Sequence, residues 1–253
     1  MRTGTHGRSG NAVLGCAKRI GWRPQLIIQV GVGLLCREVE IFHEEWPFVE
    51  MIGFEPEPKS FAELESTYPG RLIHAAVGER SQEQIPFYIK QGHQGGSSLL
   101  QASENKSALK IVHVPMVDLD SVFSEITKTT DIPVDRMLGM LARWRILCLD
   151  KDILLWLDCE GTEWQALRGA SRLLRRVGMV NVEMTGVPQA VGWCSPEDVH
   201  DELMVAGFYQ TWTHTMQAKI GQYNTVYVCR ELFQPRFCCC LAEIARWKRE
   251  SNK

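Results

Sequence analysis

Leu26-Ile27-Ile28-Gln29-Val30-Gly31-Val32-Gly33 is a short, almost wholly apolar run closed by two glycines one residue apart. An apolar run of this length reads as a strand covered on both faces. Residues 34–46 then carry helical spacing, with Leu35, Val39 and Phe42 on one side, and stop before Pro47. Residues 48–54 predict a second strand, closed by Glu55-Pro56-Glu57-Pro58. Residues 59–67 predict a helix, and residues 71–77 a third strand ending at Gly78. This alternation implies parallel βαβ units. Right-handed crossovers place the strand C-termini at one sheet edge, with Gly33, Glu55 and Val77 together. Ligands of open α/β sheets bind at that edge.

The middle of the chain is less regular. Strands are expected over 85–90 and 112–117, a Gly/Ser-rich loop over 92–98, a helix over 119–126 and an inserted helix over 134–145. The pattern sharpens at 153–157, an apolar strand ending at Asp158. A helix over 164–177 follows, with Leu167, Ala170, Leu173 and Leu174 inward, and then a strand over 179–184 that holds Glu183. Residues 195–206 predict a helix with Ser195 as N-cap and Pro196 at its first position. Strands over 208–213 and 225–229 lack a long crossover, so they should be antiparallel neighbours joined by Gly221. The fold class is therefore α/β, with about seven strands in a mostly parallel sheet and helices on both faces. One domain over 24–230 is expected. A tail and a helix over 11–20 precede it, and an extension over 231–253 with a basic helix at 241–248 follows it.

The composition narrows the function. Across 253 residues, 45% are hydrophobic, 23% charged and 9% aromatic, which excludes disorder as the main state. A formal net charge of −2 supplies no field to recruit nucleic acid, so no nucleic-acid partner is expected. No apolar run reaches the roughly 18 residues that span a bilayer. Nine cysteines are irregularly spaced, with no Cys-x-x-Cys and no Cys/His ladder for zinc. They read as reduced thiols of a cytoplasmic protein. Cys238-Cys239-Cys240 reads as chance clustering, with palmitoylation beside a basic helix as the alternative. The first acidic residue is Glu38, after six of Arg and Lys, and an organellar transit segment is the alternative reading of that start.

Several residues could carry chemistry. Gly31-Val32-Gly33 lets a ligand approach the backbone closely, or simply makes a tight turn. The third glycine of a dinucleotide fingerprint would fall at position 36, where Cys36 stands. Glu55 ends the second strand, where a carboxylate can accept hydrogen bonds from both hydroxyls of a ribose. Asp158-Cys159-Glu160-Gly161-Thr162-Glu163 packs three carboxylates into six residues at a strand end. Their mutual repulsion calls for solvent, cations or ligand. Asp158 and Glu160 are the candidates there, whereas the helix dipole alone accounts for Glu163. Glu183 is a charge inside an apolar strand, costly unless paired or functional. His74 reads as structural and His93 as a surface loop residue. No metal motif is evident, although clustered carboxylates suit a hard cation.

The order of these signals resembles a known family. Ile28-Gln29-Val30-Gly31-Val32-Gly33 is followed by Gly53-Phe54-Glu55-Pro56-Glu57-Pro58, Ala75-Ala76-Val77-Gly78 and Gly96-Ser97-Ser98-Leu99. Then come Val114-Pro115-Met116-Val117-Asp118-Leu119-Asp120, Trp156-Leu157-Asp158-Cys159-Glu160-Gly161-Thr162-Glu163 with Leu167-Arg168-Gly169-Ala170, and Val182-Glu183. This is similar to the FkbM family of S-adenosylmethionine-dependent methyltransferases. The resemblance implies a class I methyltransferase (Rossmann-like) fold and O-methylation of a hydroxyl on a small molecule or glycan. It implies that Gln29, Gly31 and Gly33 line the methionine end of S-adenosylmethionine, that Glu55 holds the ribose, and that Ala76 and Val77 flank the adenine. Asp158 would lie near the transferred methyl, with Glu160 and Glu183 beside it as catalytic candidates. Gln29, Gly33 and Leu35 stand where the family has Asp, Asn and Gly. A methyltransferase-like binding protein, or a nicotinamide-dependent oxidoreductase on a similar fold, is the alternative.

Overall fold

The computed structural model describes residues 5–34, 37–90, 96–101, 109–124, 151–217 and 221–233. In chain order the first half contains α1 (Thr5–Ile20), β1 (Leu26–Val30), α2 (Arg37–Glu45), β2 (Glu50–Phe54), α3 (Pro58–Leu64), β3 (Arg71–Ile73) and β4 (Ala76–Val77). β5 (Gln82–Lys90), β6 (Leu109–Val117) and α4 (Leu119–Val122) follow. The second half contains β7 (Ile153–Leu157), α5 (Glu163–Arg168), β8 (Val177–Thr185), α6 (Pro196–Val205), β9 (Phe208–Gln217) and β10 (Gln222–Cys229). The inserted helix expected over 134–145 and the basic helix expected over 241–248 lie outside the described residues, as do His93 and Cys238-Cys239-Cys240.

The main sheet has seven strands in the order β3-β2-β1-β7-β8-β10-β9. β3, β2, β1, β7 and β8 are parallel neighbours, and β10 runs antiparallel to both β8 and β9. The strand order reverses between β1 and β7, and this opens a crevice at their C-terminal ends. β1, β7 and β8 are buried along their whole length, because helices cover both faces. Successive side chains of β10 show this directly: Tyr227 meets His200 of α6, while Val228 faces the side where α1 packs. Trp156 of β7 is 1% exposed and meets Phe42 of α2 edge to face at 5.7 Å. This is the class I methyltransferase fold class that the sequence implies. No helix among the described residues is long and apolar enough to cross a membrane.

Three elements differ from the sequence reading. The helix expected over 11–20 begins at Thr5 and packs against α2, β9 and β10. The third strand, expected over 71–77, breaks at His74. β3 stays in the main sheet, whereas β4 joins a second sheet of order β4-β6-β5. His74 marks the break, with its imidazole at 3.1 Å from the Pro56 carbonyl and stacked on Phe61 at 4.7 Å. Leaving the main sheet there carries Ala76 and Val77 to the crevice wall.

The helix expected over 164–177 stops at Arg168 and resumes as a 3₁₀ turn over Leu173–Arg175. A Cβ on Gly169 would lie 2.1 Å from the Gly78 carbonyl oxygen, so the chain there is pressed against a neighbouring loop. The buried carboxylate of Asp120 then restarts the turn. It accepts the N–H groups of Arg172 at 2.9 Å and Leu173 at 2.7 Å, and its own N–H donates to Gly169 at 2.8 Å. Asp120→Ala should lower the unfolding free energy by about 2 to 3 kcal/mol, because it leaves interior N–H groups unpaired. Urea titration of the variant checks this, and an unchanged midpoint would show that the 3₁₀ turn holds without the carboxylate.

Candidate active site

The crevice is built on one close approach. Gly31 has φ +76°, and a Cβ there would lie 1.9 Å from the Asp158 carbonyl oxygen. Only glycine allows this conformation and this contact together. Gly33, at φ +59°, donates its N–H to Glu55 Oε2 at 2.8 Å. The Glu57 N–H donates to Glu55 Oε1, also at 2.8 Å. Glu55 is thereby fixed at the end of β2 with both oxygens engaged and 5% of its surface exposed. Burial pushes its carboxyl up, and the two N–H groups oppose that shift.

The second half of the site follows β7. Glu160 sits at φ +52°, an uncommon conformation for a non-glycine residue. The Gly/Ser loop holds it there: Gly96 N–H donates to its carboxylate at 2.9 Å, and the Ser98 hydroxyl donates to its carbonyl at 2.7 Å. Glu163 faces away from the crevice and clamps the same loop. It accepts from Cys159 N–H at 2.8 Å, Gly161 N–H at 3.1 Å and the Cys194 thiol at 3.4 Å. Its role is therefore structural and more than a dipole effect. Trp193 covers the loop, since a Cβ on Gly161 would lie 2.3 Å from its ring. Glu183, on β8, takes a hydrogen bond from the Gln222 amide and one from Asn224 at 3.4 Å.

One oxygen each from Asp158, Glu160 and Glu183 all fall within 4.8 Å of one another. Burial first, and then repulsion from neighbouring carboxylates that include Glu163, raises all three carboxyls. Glu160 is pushed to about 6 and Glu183 to about 8, and Asp158 well above the usual carboxylate range. Such a set can hold a proton or a donor at neutral pH, and its hard oxygens are also of the type that binds Mg²⁺ or Ca²⁺.

The cavity at the strand ends measures about 640 Å³. Of the residues singled out by sequence, Gly31, Gly33, Glu55, Ala76, Val77, Asp158, Glu160 and Glu183 all line it. Gln29 does not. It is 1% exposed behind the wall, donating its amide to Glu38 Oε1 at 2.6 Å and accepting from the Tyr68 hydroxyl at 3.4 Å. Sequence reasoning missed Glu38, Lys90, Met216 and Gln222, which also line the cavity. Gln222 lies one residue beyond Gly221, the expected strand junction, so its position was visible while its aim was not.

Residues 39–209 match the methyltransferase FkbM domain. No curated protein matches the chain. Among solved structures, the chain is similar to magnesium protoporphyrin IX methyltransferase from Synechocystis PCC 6803 with bound SAM. That pair is 10% identical, with a TM-score of 0.44 over 88% of this chain and 79% of that one. It is also similar to Aeropyrum pernix fibrillarin with bound S-adenosyl-L-methionine, at 11% identity and TM-score 0.41 over 85% and 74% of the two chains. A third is the plantazolicin methyltransferase BpumL with SAH, at 8% identity and TM-score 0.43 over 88% and 82%.

The raised carboxyls have a consequence for stability. Unfolded glutamates titrate near 4.3, whereas folded Glu160, Glu38 and Glu183 titrate at about 6, 7 and 8. Between those limits the folded chain binds more protons than the unfolded chain, so stability falls as pH rises. Thermal melts of the ligand-free protein should therefore drop between pH 5.5 and 8. Glu183→Gln should flatten that drop by up to about 1.4 kcal/mol per pH unit. A variant with the wild-type slope would mean that Glu183 ionises normally.

Proposed function

The chain belongs to the FkbM methyltransferase family, and on that premise we propose that it moves the methyl group of S-adenosylmethionine onto a hydroxyl of a small molecule or glycan. One observation carries the reading: the Glu55 carboxylate is fixed at the end of β2 by the N–H groups of Gly33 and Glu57, at the wall of a cavity of about 640 Å³. The residues present fit the cofactor. Each Glu55 oxygen spends one lone pair on the backbone and keeps another for a ribose hydroxyl. Gly31 and Gly33 leave room beside it for the chain that carries the sulfur, and Ala76 and Val77 offer small apolar surface for the adenine. The nicotinamide reading is weaker, because position 36 is Cys rather than the fingerprint's third glycine.

S-adenosylmethionine supplies an electrophilic methyl on a sulfonium. The work left to the protein is to align the acceptor oxygen and receive its proton. Asp158 stands where β7 meets the cavity, and its raised carboxyl suits proton transfer at neutral pH. Glu160 is aimed by Gly96 and Ser98 into the same space, so either carboxylate can act as base. Glu183 accepts from Gln222 and Asn224 and orients the acceptor from the β8 side. A hydroxyl acceptor agrees with this grouping, because an alcohol needs help to lose its proton. A cytoplasmic setting agrees with Cys16, Cys159, Cys194 and Cys229 all being free thiols.

Calorimetric titration with S-adenosylhomocysteine tests the cofactor. Micromolar binding is expected, weakened at least about tenfold by Glu55→Ala, which deletes two charge-assisted acceptors. No binding by a folded protein would overturn the enzyme reading in favour of a methyltransferase-like binding protein. Transfer of labelled methyl to a panel of sugars and hydroxylated metabolites tests the acceptor. With an acceptor in hand, Asp158→Asn should lower kcat by roughly 10²- to 10⁴-fold with cofactor affinity largely kept. A full-rate Asp158→Asn variant would remove Asp158 from the chemistry.

A further inference from the structure

Gln29, near the end of β1, is neutral and brings no charge to the cavity. Its amide is spent inside the wall, donating to Glu38 Oε1 at 2.6 Å and accepting from Tyr68 at 3.4 Å. The direction of these bonds matters. Tyr68 donates to the Gln29 carbonyl oxygen, so the Gln29 NH₂ faces Glu38 and fixes it as an acceptor. Glu38 stands in the first turn of α2, is 3% exposed and lines the cavity beside Gly31 and Gly33. Its second oxygen, Oε2, is buried with no hydrogen-bond partner among the described residues. A buried carboxylate oxygen left in that state is costly and calls for a donor.

The topology says which donor would reach it. Across the main sheet, Glu55 at the end of β2 is followed by the Gly31–Gly33 turn after β1 and then by Asp158 at the end of β7, and Ala76 and Val77 of the second sheet line the same cavity. Glu38 lines that cavity too, near enough to Asp158 for the two carboxylates to repel. A ligand with its ribose at Glu55 and its adenine at Ala76–Val77 directs its remaining arm past Gly33 toward Glu38.

We infer that Glu38 binds the α-ammonium group at the amino-acid end of the cofactor, supplying from α2 the charge that Gln29 lacks on β1. This rests on the cofactor reading above. Gln29 is then a positioning residue: it holds Oε1 and leaves Oε2 as the oxygen still in need of a donor.

The test compares three ligands by calorimetry on the full chain: S-adenosylhomocysteine, its deamino analogue and 5′-methylthioadenosine, which lacks the whole amino-acid arm. Glu38→Gln should weaken S-adenosylhomocysteine by about 10- to 100-fold, the range of one charge-assisted hydrogen bond, and leave the other two unchanged. An equal loss for all three ligands, or none for S-adenosylhomocysteine, overturns the inference. The wild-type protein decides even where the variant does not fold. Removing the amino group from the ligand must itself cost about 10- to 100-fold, and equal affinity for S-adenosylhomocysteine and its deamino analogue overturns the inference. Failure of the underlying reading looks different: the wild type would then bind none of the three nucleosides, and both readings fall together.

Discussion

The site depends on a contact between two backbones. The Asp158 N–H donates to the Val30 carbonyl at 3.0 Å, and its own carbonyl oxygen lies where a side chain on Gly31 would have to be. β1 and β7 therefore stay paired to their last residues and separate only beyond them. The α2 and α5 segments leave in different directions, and the space between them is the cavity. A larger residue at position 31 would push the β7 loop outward. That would move Asp158, Glu160 and the Glu163 clamp together, because all three hang on the same six residues. The geometry of the acids is thus set by backbone packing and only refined by side chains.

The acids themselves are held by neutral groups. Glu55 takes two backbone N–H groups, Glu160 one, Glu163 two and a thiol, and Glu183 two amides. Neutral dipoles orient a carboxylate without cancelling its charge, so the cavity keeps a negative potential. Lys90 tempers Glu160, but Lys59 and Lys90 face seven acidic residues in the cavity lining. A low-dielectric pocket with surplus negative charge favours a cationic guest, and in its absence the carboxyls respond by holding protons. The same feature thus raises their pKa values and suits the pocket to a sulfonium.

The parts of this fold that could be read from sequence are those where composition reports burial directly. β1, β7 and β8 are apolar runs because they are covered on both faces, and Ser195 caps α6 with Asp198 in a reciprocal box because both signals are local. The parts that could not be read were decided by distant groups. Asp120 splits the helix after Arg168 from about fifty positions away. His74 ends β3 through Pro56 and Phe61. Glutamates stand in the first turns of both α2 and α5, where the helix dipole favours acids. Burial separates them: Glu163 is saturated by loop donors, whereas Glu38 has an oxygen to spare.

This difference bears on how family likeness and local chemistry divide along the chain. The family match begins at residue 39, so the β1 turn and Glu38 fall outside it. What lies inside, from β2 to the start of β9, contains Glu55, Ala76, Val77, Asp158, Glu160 and Glu183, all of which line the cavity. What lies outside, the β1 turn and Glu38, lines the same cavity. There the Gln29 amide of β1 is bonded at 2.6 Å to the Glu38 carboxylate of α2, which lines the same cavity. An amide can donate where a carboxylate cannot. Gln29 at this position is therefore compatible with an ionised Glu38 next to it, whereas Asp at 29 beside Glu38 would add one more repulsion to a crowded pocket. The amide on β1 and the acid on α2 make physical sense as a pair, because the amide gives a buried carboxylate oxygen its donor.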